Sequence, residues 1–183
     1  MRQLKASLMM TINGVVESPH EWVGGLIDPS LMEGFPEQLD EQDTLLLGRT
    51  AYEEWSQYWP TSTDEPFASH INQKPKVIAS RSLERATWGS FDAPTVLRSD
   101  LADEVNALKA RPGKVIGING SPSLVSSLIE LGLLDELKMT VFPVLVGKGK
   151  RFFLGERSPR PLEMVEEKRS SLGVLTLTFR PRR

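Results

Sequence analysis

Short apolar runs alternate with segments of helical periodicity through the middle of the chain. Residues 44–47 form one such run, and Tyr52, Trp55 and Trp59 follow it at helical spacing until Pro60. Strands that alternate with helices are typical of a parallel sheet whose faces are covered by helices. The sequence therefore predicts an α/β fold with a mainly parallel central sheet.

The period of the apolar residues places the individual elements. Strands are predicted at residues 4–10, 44–47, 76–79, 95–97, 114–118, 137–141, 162–168 and 174–179. Helices are predicted at residues 52–59, 66–73, 100–109 and 124–131. The last strands follow one another without a helix, which predicts a C-terminal antiparallel hairpin. Residues 17–36 are rich in Gly and Pro and contain the helix-start pattern Asp28-Pro29-Ser30, so a loop beside a site is expected there.

Composition limits the function classes. A chain of 183 residues with 39% hydrophobic and 25% charged residues predicts one globular domain over residues 1–183. The net charge of −2 gives no electrostatic reason to expect nucleic acid or a membrane surface as a partner. No window is apolar enough to span a membrane, and no leader is recognisable, so a cytoplasmic location is expected.

The supply of metal-binding and nucleophilic side chains is small. The chain has no cysteine, which rules out disulfides and cysteine-ligated metals. It has two histidines, His20 and His70, and both are expected at the surface. We therefore predict no metal site.

Small, hydroxylated or arginine residues follow three of the predicted strands. Gly48-Arg49-Thr50, Ser80-Arg81 and the segment 119–123 come directly after their strands. Open α/β sheets bind ligands at the carboxyl ends of their strands, and a turn without bulky side chains lets a phosphate reach the N–H groups of the next helix. Arginine can add a forked contact to phosphate oxygens. A phosphate-bearing cofactor is predicted here, although the same residues also occur as ordinary helix caps and surface ion pairs.

Other motifs do not fit a site. Residues 147–150 lack the spacer and the final Ser/Thr of a Walker A loop. Ser121 is not in a nucleophile elbow and no histidine follows it, which disfavours a serine hydrolase. The aromatic stripe Tyr52, Trp55 and Trp59 is interpreted as core rather than as a cofactor platform.

Three segments together resemble the dihydrofolate-reductase-like superfamily, and most of all the C-terminal reductase domain of bifunctional riboflavin-biosynthesis proteins. They are LLLGRTAYEEW at residues 45–55, KVIASRSL at residues 76–83, and the longer stretch from residue 118 to residue 153. The resemblance implies a mainly parallel sheet with a C-terminal antiparallel hairpin, NADPH bound across the carboxyl edge of the sheet, and a homodimer.

The resemblance also assigns residues to the cofactor, most of them at strand ends. They are Ile12, Gly14, Gly48, Arg49, Thr50, Ser80, Arg81, Asn119, Gly120, Ser121, Pro122, Ser123 and Leu124. Residues 48–50 match the segment that meets the phosphates, Ser80 and Arg81 the one that meets the adenosine 2′-phosphate, and residues 119–124 the turn around the pyrophosphate. Residues 11–14 resemble the loop that closes on the nicotinamide. An arginine at the 2′-phosphate favours NADPH over NADH.

The expected function is hydride transfer from NADPH to a small heterocyclic substrate, pterin- or pyrimidine-like, or to a carbonyl substrate. The catalytic residue is unassigned, because Asp28, Glu33 and Glu37 are available but no motif gives any of them the role. One alternative is a non-catalytic nucleotide-binding or regulatory protein. Another is a structural homodimer that uses residues 146–149 and the final strands.

Overall fold

The computed structural model describes residues 1–153 and 159–182. The strands are β1 (Leu4–Thr11), β2 (Gln42–Gly48), β3 (Lys76–Ala79), β4 (Thr95–Leu97), β5 (Val115–Asn119), β6 (Glu136–Phe142), β7 (Leu162–Arg169) and β8 (Leu175–Pro181). Within the described residues they form one sheet in the order β4-β3-β2-β5-β1-β6-β8-β7. The first six strands in this order, from β4 at the edge to β6, pair in parallel, whereas β8 pairs antiparallel with both β6 and β7. The predicted sheet and its antiparallel C-terminal hairpin are confirmed.

Helices cover both faces of the sheet. They are α1 (Pro29–Met32), α2 (Phe35–Glu41), α3 (Arg49–Tyr58), α4 (Phe67–Gln73), α5 (Leu101–Ala110) and α6 (Pro122–Glu130). Alternation along β2 sends Leu46 into a core shared with α5 and α6, and Leu45 and Leu47 into a second core shared with α3 and α4. Among the described helices, none is long and apolar enough to cross a membrane.

Two of the differences from the sequence-based expectations concern the helices. Helix α2 lies where Gly34 and Pro36 are typical of a loop; Pro36 is tolerated because the first helical N–H groups need no intrahelical acceptor. The prediction that His70 is a surface residue is wrong. His70 lies in α4 with 8% of its surface exposed, and burial, assisted by the charge of Lys74, lowers its pKa to about 4. His20 is exposed, as expected.

Candidate active site

A groove of about 1160 Å³ runs along the carboxyl edge of the sheet from β4 to β1. Its floor is formed by the ends of β3, β2 and β5 and by residues 7–9 of β1, and these strands are neighbours in the sheet. The three predicted turns therefore converge on one cleft, as the sequence predicts. Eleven of the thirteen residues predicted for the cofactor line this groove; Ile12 and Gly14 do not.

The turn between β2 and α3 holds Arg49 at the rim of the groove. Gly48 is the N-cap of α3, and Arg49 is the first helical residue. The Arg49 Nε atom donates to the Glu53 carboxylate at 2.6 Å, and Nη1 donates to the hydroxyl of Ser82 beyond the end of β3. These two partners lie on different segments and orient the half-exposed guanidinium toward the rim of the groove.

The loop after β3 places Arg81 at the β4 end of the groove. Arg81 is exposed and lines the groove, as does Ser99 after the end of β4. Ser80 shapes this loop: its N–H donates to the Leu97 carbonyl at 3.1 Å, and its hydroxyl accepts from the Leu83 N–H at 3.2 Å. The Ser80 side chain thus stabilises the loop that presents Arg81.

The turn between β5 and α6 presents a helix N-terminus to the groove. Gly120 and Ser121 both have left-handed backbones, with φ of 85° and 55°. Ser121 is the N-cap of α6, but its side chain makes no capping hydrogen bond; its Oγ accepts from the Gly48 N–H at 3.0 Å instead. Since no side chain caps the first turn of α6, its N–H groups can serve an anion.

Ile12 and Gly14 belong to a turn beside the groove rather than to its wall. Ile12 is 57% exposed, and the N–H of Gly14, which has φ of 87°, donates to the Thr11 carbonyl at 2.9 Å. The Gly14 carbonyl in turn accepts from the Phe152 N–H at 2.9 Å, which fastens this turn to a second segment. Met9 and the segment 16–19 line the groove at this end.

The aromatic stripe divides between core and groove. Tyr52 is 8% exposed and belongs to the second core, which confirms the core interpretation for this residue. Trp55 and Trp59 pack against the same core and also line the groove, with ring centroids 5.8 Å apart in an edge-to-face arrangement. Ligand binding in the groove would therefore change their fluorescence.

The carboxylate of Asp28 accepts hydrogen bonds from two separate segments of the chain. It accepts from the Leu31 N–H and the Ser30 hydroxyl in its own helix, and from the Ser171 hydroxyl and the Leu172 N–H in the β7–β8 turn. These hydrogen bonds hold the pKa of Asp28 well below its usual range, the Ser171 contact contributing most. Asp28 is therefore not suited to donate a proton.

A polar chamber of about 500 Å³ adjoins the groove beneath α1 and α2. Ser7, Phe35 and Gln38 line both cavities. Glu33 and Glu37 line the chamber and not the groove. The chamber is not predicted from the sequence, although polar Lys5 and Ser7 alternate with apolar residues in a strand that is predicted to be buried.

Comparison with known proteins identifies similar chains. Residues 2–176 match the family model of the RibD C-terminal domain. A Bacillus subtilis (strain 168) protein, "Uncharacterized protein YyaP", is 31% identical over 186 residues, which cover 97% of this chain and 94% of that protein.

Solved structures share the fold at lower identity. A proposed riboflavin biosynthesis protein of Shewanella sp. PV-4 superposes with a TM-score of 0.81 at 18% identity, covering 99% of both chains. A pyrimidine reductase-like protein of Corynebacterium diphtheriae NCTC gives 0.67 at 18% identity, covering 100% of this chain and 92% of its own. Dihydrofolate reductase of Enterococcus faecalis, complexed with NADP(H) and RAB-propyl, gives 0.61 at 18% identity, covering 99% and 97%. The fold is thus dihydrofolate-reductase-like.

Proposed function

The chain belongs to the RibD C-terminal domain family, and we propose on that basis that it is an NADPH-dependent reductase of a small heterocyclic substrate, pyrimidine- or pterin-like, or of a carbonyl substrate. One observation carries the proposal: Arg81, Arg49 and the turn 119–124 line a single groove along the carboxyl edge of the sheet. This edge is where open α/β sheets bind dinucleotides.

The groove fits an extended dinucleotide. Arg81, at the β4 end, would hold the adenosine 2′-phosphate, because a guanidinium matches phosphate oxygens in a forked contact. The turn 119–124 and Arg49, near the middle, would hold the pyrophosphate through N–H groups and charge. The nicotinamide would then lie toward Met9 and the segment 16–19. When bound, NADPH supplies the hydride.

The protein's own part in such a reaction is to bind, orient and exclude water. Trp55 and Trp59 form an apolar wall beside the phosphate turns. Glu53 and Ser82 already orient the guanidinium of Arg49, which reduces the entropy lost when a ligand binds. The polar chamber provides room for a second small molecule next to the nicotinamide end.

A second copy of this chain is the proposed partner. Strand β7 lies at one end of the sheet, and Met164 and Val165 on it are 52% and 40% exposed. Its sequence is acidic at Glu166 and Glu167 and basic at Lys168 and Arg169. Antiparallel pairing of two β7 strands about a twofold axis, in the register that sets Glu167 opposite Lys168, would place these acidic residues opposite the basic ones. Light scattering should give twice the monomer mass, and Val165→Lys should reduce it.

The cofactor proposal is tested by titrating the purified protein with NADPH while recording tryptophan fluorescence. We expect saturable binding in the micromolar range typical of such cofactors. No saturable change would refute the proposal.

A non-catalytic nucleotide-binding protein on the same scaffold is the second candidate, favoured by the structural engagement of Asp28. Oxidation of NADPH in the presence of pterins, pyrimidines and quinones distinguishes the two. Turnover supports the reductase, and tight binding without turnover supports the alternative.

A further inference from the structure

The segment 80–84, which presents Arg81 to the groove, is contacted from outside the groove by a second arginine. Arg98 directly follows strand β4, and its Nε atom donates to the Leu83 carbonyl at 3.1 Å. Its Nη2 atom donates to the next carbonyl along the chain, that of Glu84. In the described part of the chain, the lining of the groove includes Arg81 but not Arg98. Arg98 therefore contacts the segment without lining the cofactor groove.

The acceptors of Arg98 are main-chain carbonyls rather than an acidic side chain. Arg49 and Arg180, by comparison, donate to the carboxylates of Glu53 and Glu136. Nε and Nη2 are adjacent donors on one edge of the planar guanidinium, so together they form a fork. A fork that is placed on two successive carbonyls restricts the orientation of both peptide groups. The contact of Arg98 is therefore suited to orient a segment of backbone.

The chain on both sides of Arg98 is anchored. Leu97 is paired with Ala79 of β3, and its carbonyl accepts from the Ser80 N–H at 3.1 Å. On the other side, the Asp100 side chain caps α5 by accepting from two N–H groups of its first turn. The backbone of Arg98 is thus held between the sheet and a capped helix, which gives its side chain a fixed base.

Arg81 lies within a short turn of the segment. The Ser80 hydroxyl accepts from the Leu83 N–H at 3.2 Å and closes the turn, and the Leu83 side chain packs against the second core. The Leu83 carbonyl, at the end of the turn, accepts from Arg98. The backbone that carries Arg81 is thus held at Ser80 and at Leu83, and Arg98 contributes at the second of these points.

We propose that Arg98 is a positioning residue that strengthens the preference for NADPH over NADH by acting through Arg81. It holds the carbonyls of Leu83 and Glu84 and so keeps the turn in the conformation that directs Arg81 to the 2′-phosphate. A turn that is ordered before binding loses less entropy when the phosphate is bound. This inference rests on the proposed function, because it assumes that Arg81 contacts the 2′-phosphate.

The test measures the dissociation constants of NADPH and NADH by tryptophan fluorescence on the full-length protein. Arg98→Met removes the donors and keeps an aliphatic stem, whereas Arg98→Lys keeps the charge but cannot form the fork. Arg85→Met, at an exposed position outside the groove and next to the segment 80–84, is the control that removes one charge. Arg81→Gln and the double variant Arg81→Gln with Arg98→Met complete a double-mutant cycle.

Arg98→Met should weaken NADPH by about three- to fivefold and leave NADH unchanged. This loss is smaller than for a buried hydrogen bond with a charged donor, because Arg98 is exposed. Arg98→Lys should lose nearly as much, and Arg85→Met should bind both cofactors as the wild type does. In the Arg81→Gln background, Arg98→Met should cause no further loss of NADPH affinity, because the side chain through which it acts is absent.

Four results would overturn the inference. Wild-type selectivity in Arg98→Met means that the contact has no effect on the cofactor. Equal losses for NADPH and NADH mean that the residue serves stability alone. Full selectivity in Arg98→Lys means that charge matters and the fork does not. A further loss in the Arg81→Gln background means that Arg98 does not act through Arg81.

The same titrations separate this inference from the proposed function. A wild-type protein that binds no NADPH contradicts the proposed function itself. A preference for NADPH that Arg81→Gln removes and Arg98→Met leaves intact contradicts the role of Arg98 alone. Thermal melting identifies any loss of folding in Arg98→Met, in which case Arg98→Lys is judged by the same criteria.

Discussion

The hydroxyl of Ser121 accepts a 3.0 Å hydrogen bond from the backbone N–H of Gly48. This bond joins the end of β2 to the start of α6, the two turns that we assign to the phosphates of the cofactor. It also explains why Ser121, in a left-handed conformation with φ of 55°, does not cap its own helix. The buried side chain of Ser121 therefore helps to hold together two turns whose strands, β2 and β5, are already paired in the sheet.

Replacing Ser121 by alanine should loosen this joint. A neutral hydrogen bond contributes about 1 kcal/mol, and this bond orders the turns before the ligand binds, so the NADPH dissociation constant should rise by up to about fivefold. Fluorescence titration measures the change, and Ser90→Ala, at an exposed position outside the groove, is the control. An unchanged affinity in Ser121→Ala would show that the joint does not serve the cofactor.

Asp28 should prove to be a stability residue and not a proton donor. Its carboxylate links α1 to the β7–β8 turn, so Asp28→Asn should lower the melting temperature at pH 7 and leave NADPH affinity unchanged. The pKa of Asp28 is depressed in the folded state, so its contribution is present above the unfolded pKa of about 4 and is lost as the pH falls toward the folded pKa. The difference between Asp28→Asn and the wild type should accordingly narrow below pH 4. An equal difference at all pH values would contradict this role.

His70 should make the protein sensitive to mild acid. Its folded pKa of about 4 lies below the unfolded value of about 6.5, so the unfolded chain binds the extra proton between these values. Stability should fall as the pH is lowered from about 6.5 to about 4. Lys74 opposes protonation and Asp40 favours it, while burial opposes it most.

The measurement is the urea midpoint at pH 7, 5.5 and 4.5. His70→Leu should reduce the loss of stability at low pH, because the titrating imidazole is removed. His20→Leu, at an exposed position, should lose stability as the wild type does. If both variants lose stability with pH as the wild type does, His70 is not the group responsible.

Gly117 makes room for the side chain of Gln42. A Cβ atom on Gly117 would lie 2.1 Å from Gln42 Oε1, which accepts a 3.0 Å hydrogen bond from the Asn119 amide. Gly117→Ala should therefore cost about 1–3 kcal/mol, the range typical of an overpacked core. In urea unfolding, the double variant Gly117→Ala with Gln42→Ala should lose less free energy of unfolding than the two single variants lose in sum. Additive losses would show that the two residues do not compete for this space.

Much of the sheet could be predicted from local sequence. Strands β3 (Lys76–Ala79) and β4 (Thr95–Leu97) have the predicted bounds, because short apolar and β-branched runs flanked by polar residues favour buried strands. Strand β2 begins two residues earlier than predicted, at Gln42, because its polar side chains are satisfied by partners distant in sequence. The phosphate turns could be predicted because each directly follows a recognisable strand.

The other parts of the site depend on tertiary contacts. The hydrogen bond between Ser171 and Asp28 joins residues 143 positions apart, so no local sequence pattern predicts it. The burial of His70 likewise follows from how α4 packs. The polar chamber is an intermediate case: Lys138 lies between the apolar residues Leu137 and Met139, a visible alternation, but only the pairing of β6 with β1 places it beside Ser7.

Arg81 is proposed to bind the 2′-phosphate of NADPH and so to select NADPH over NADH. The most direct test measures the dissociation constants of NADPH and NADH for the wild type, for Arg81→Gln, and for Arg85→Gln as an exposed control outside the groove. Since a charge-assisted hydrogen bond contributes about 1.5–3 kcal/mol, Arg81→Gln should weaken NADPH by about tenfold or more and leave NADH and the control nearly unchanged. Equal losses for NADPH and NADH, or no loss for either, would contradict the account.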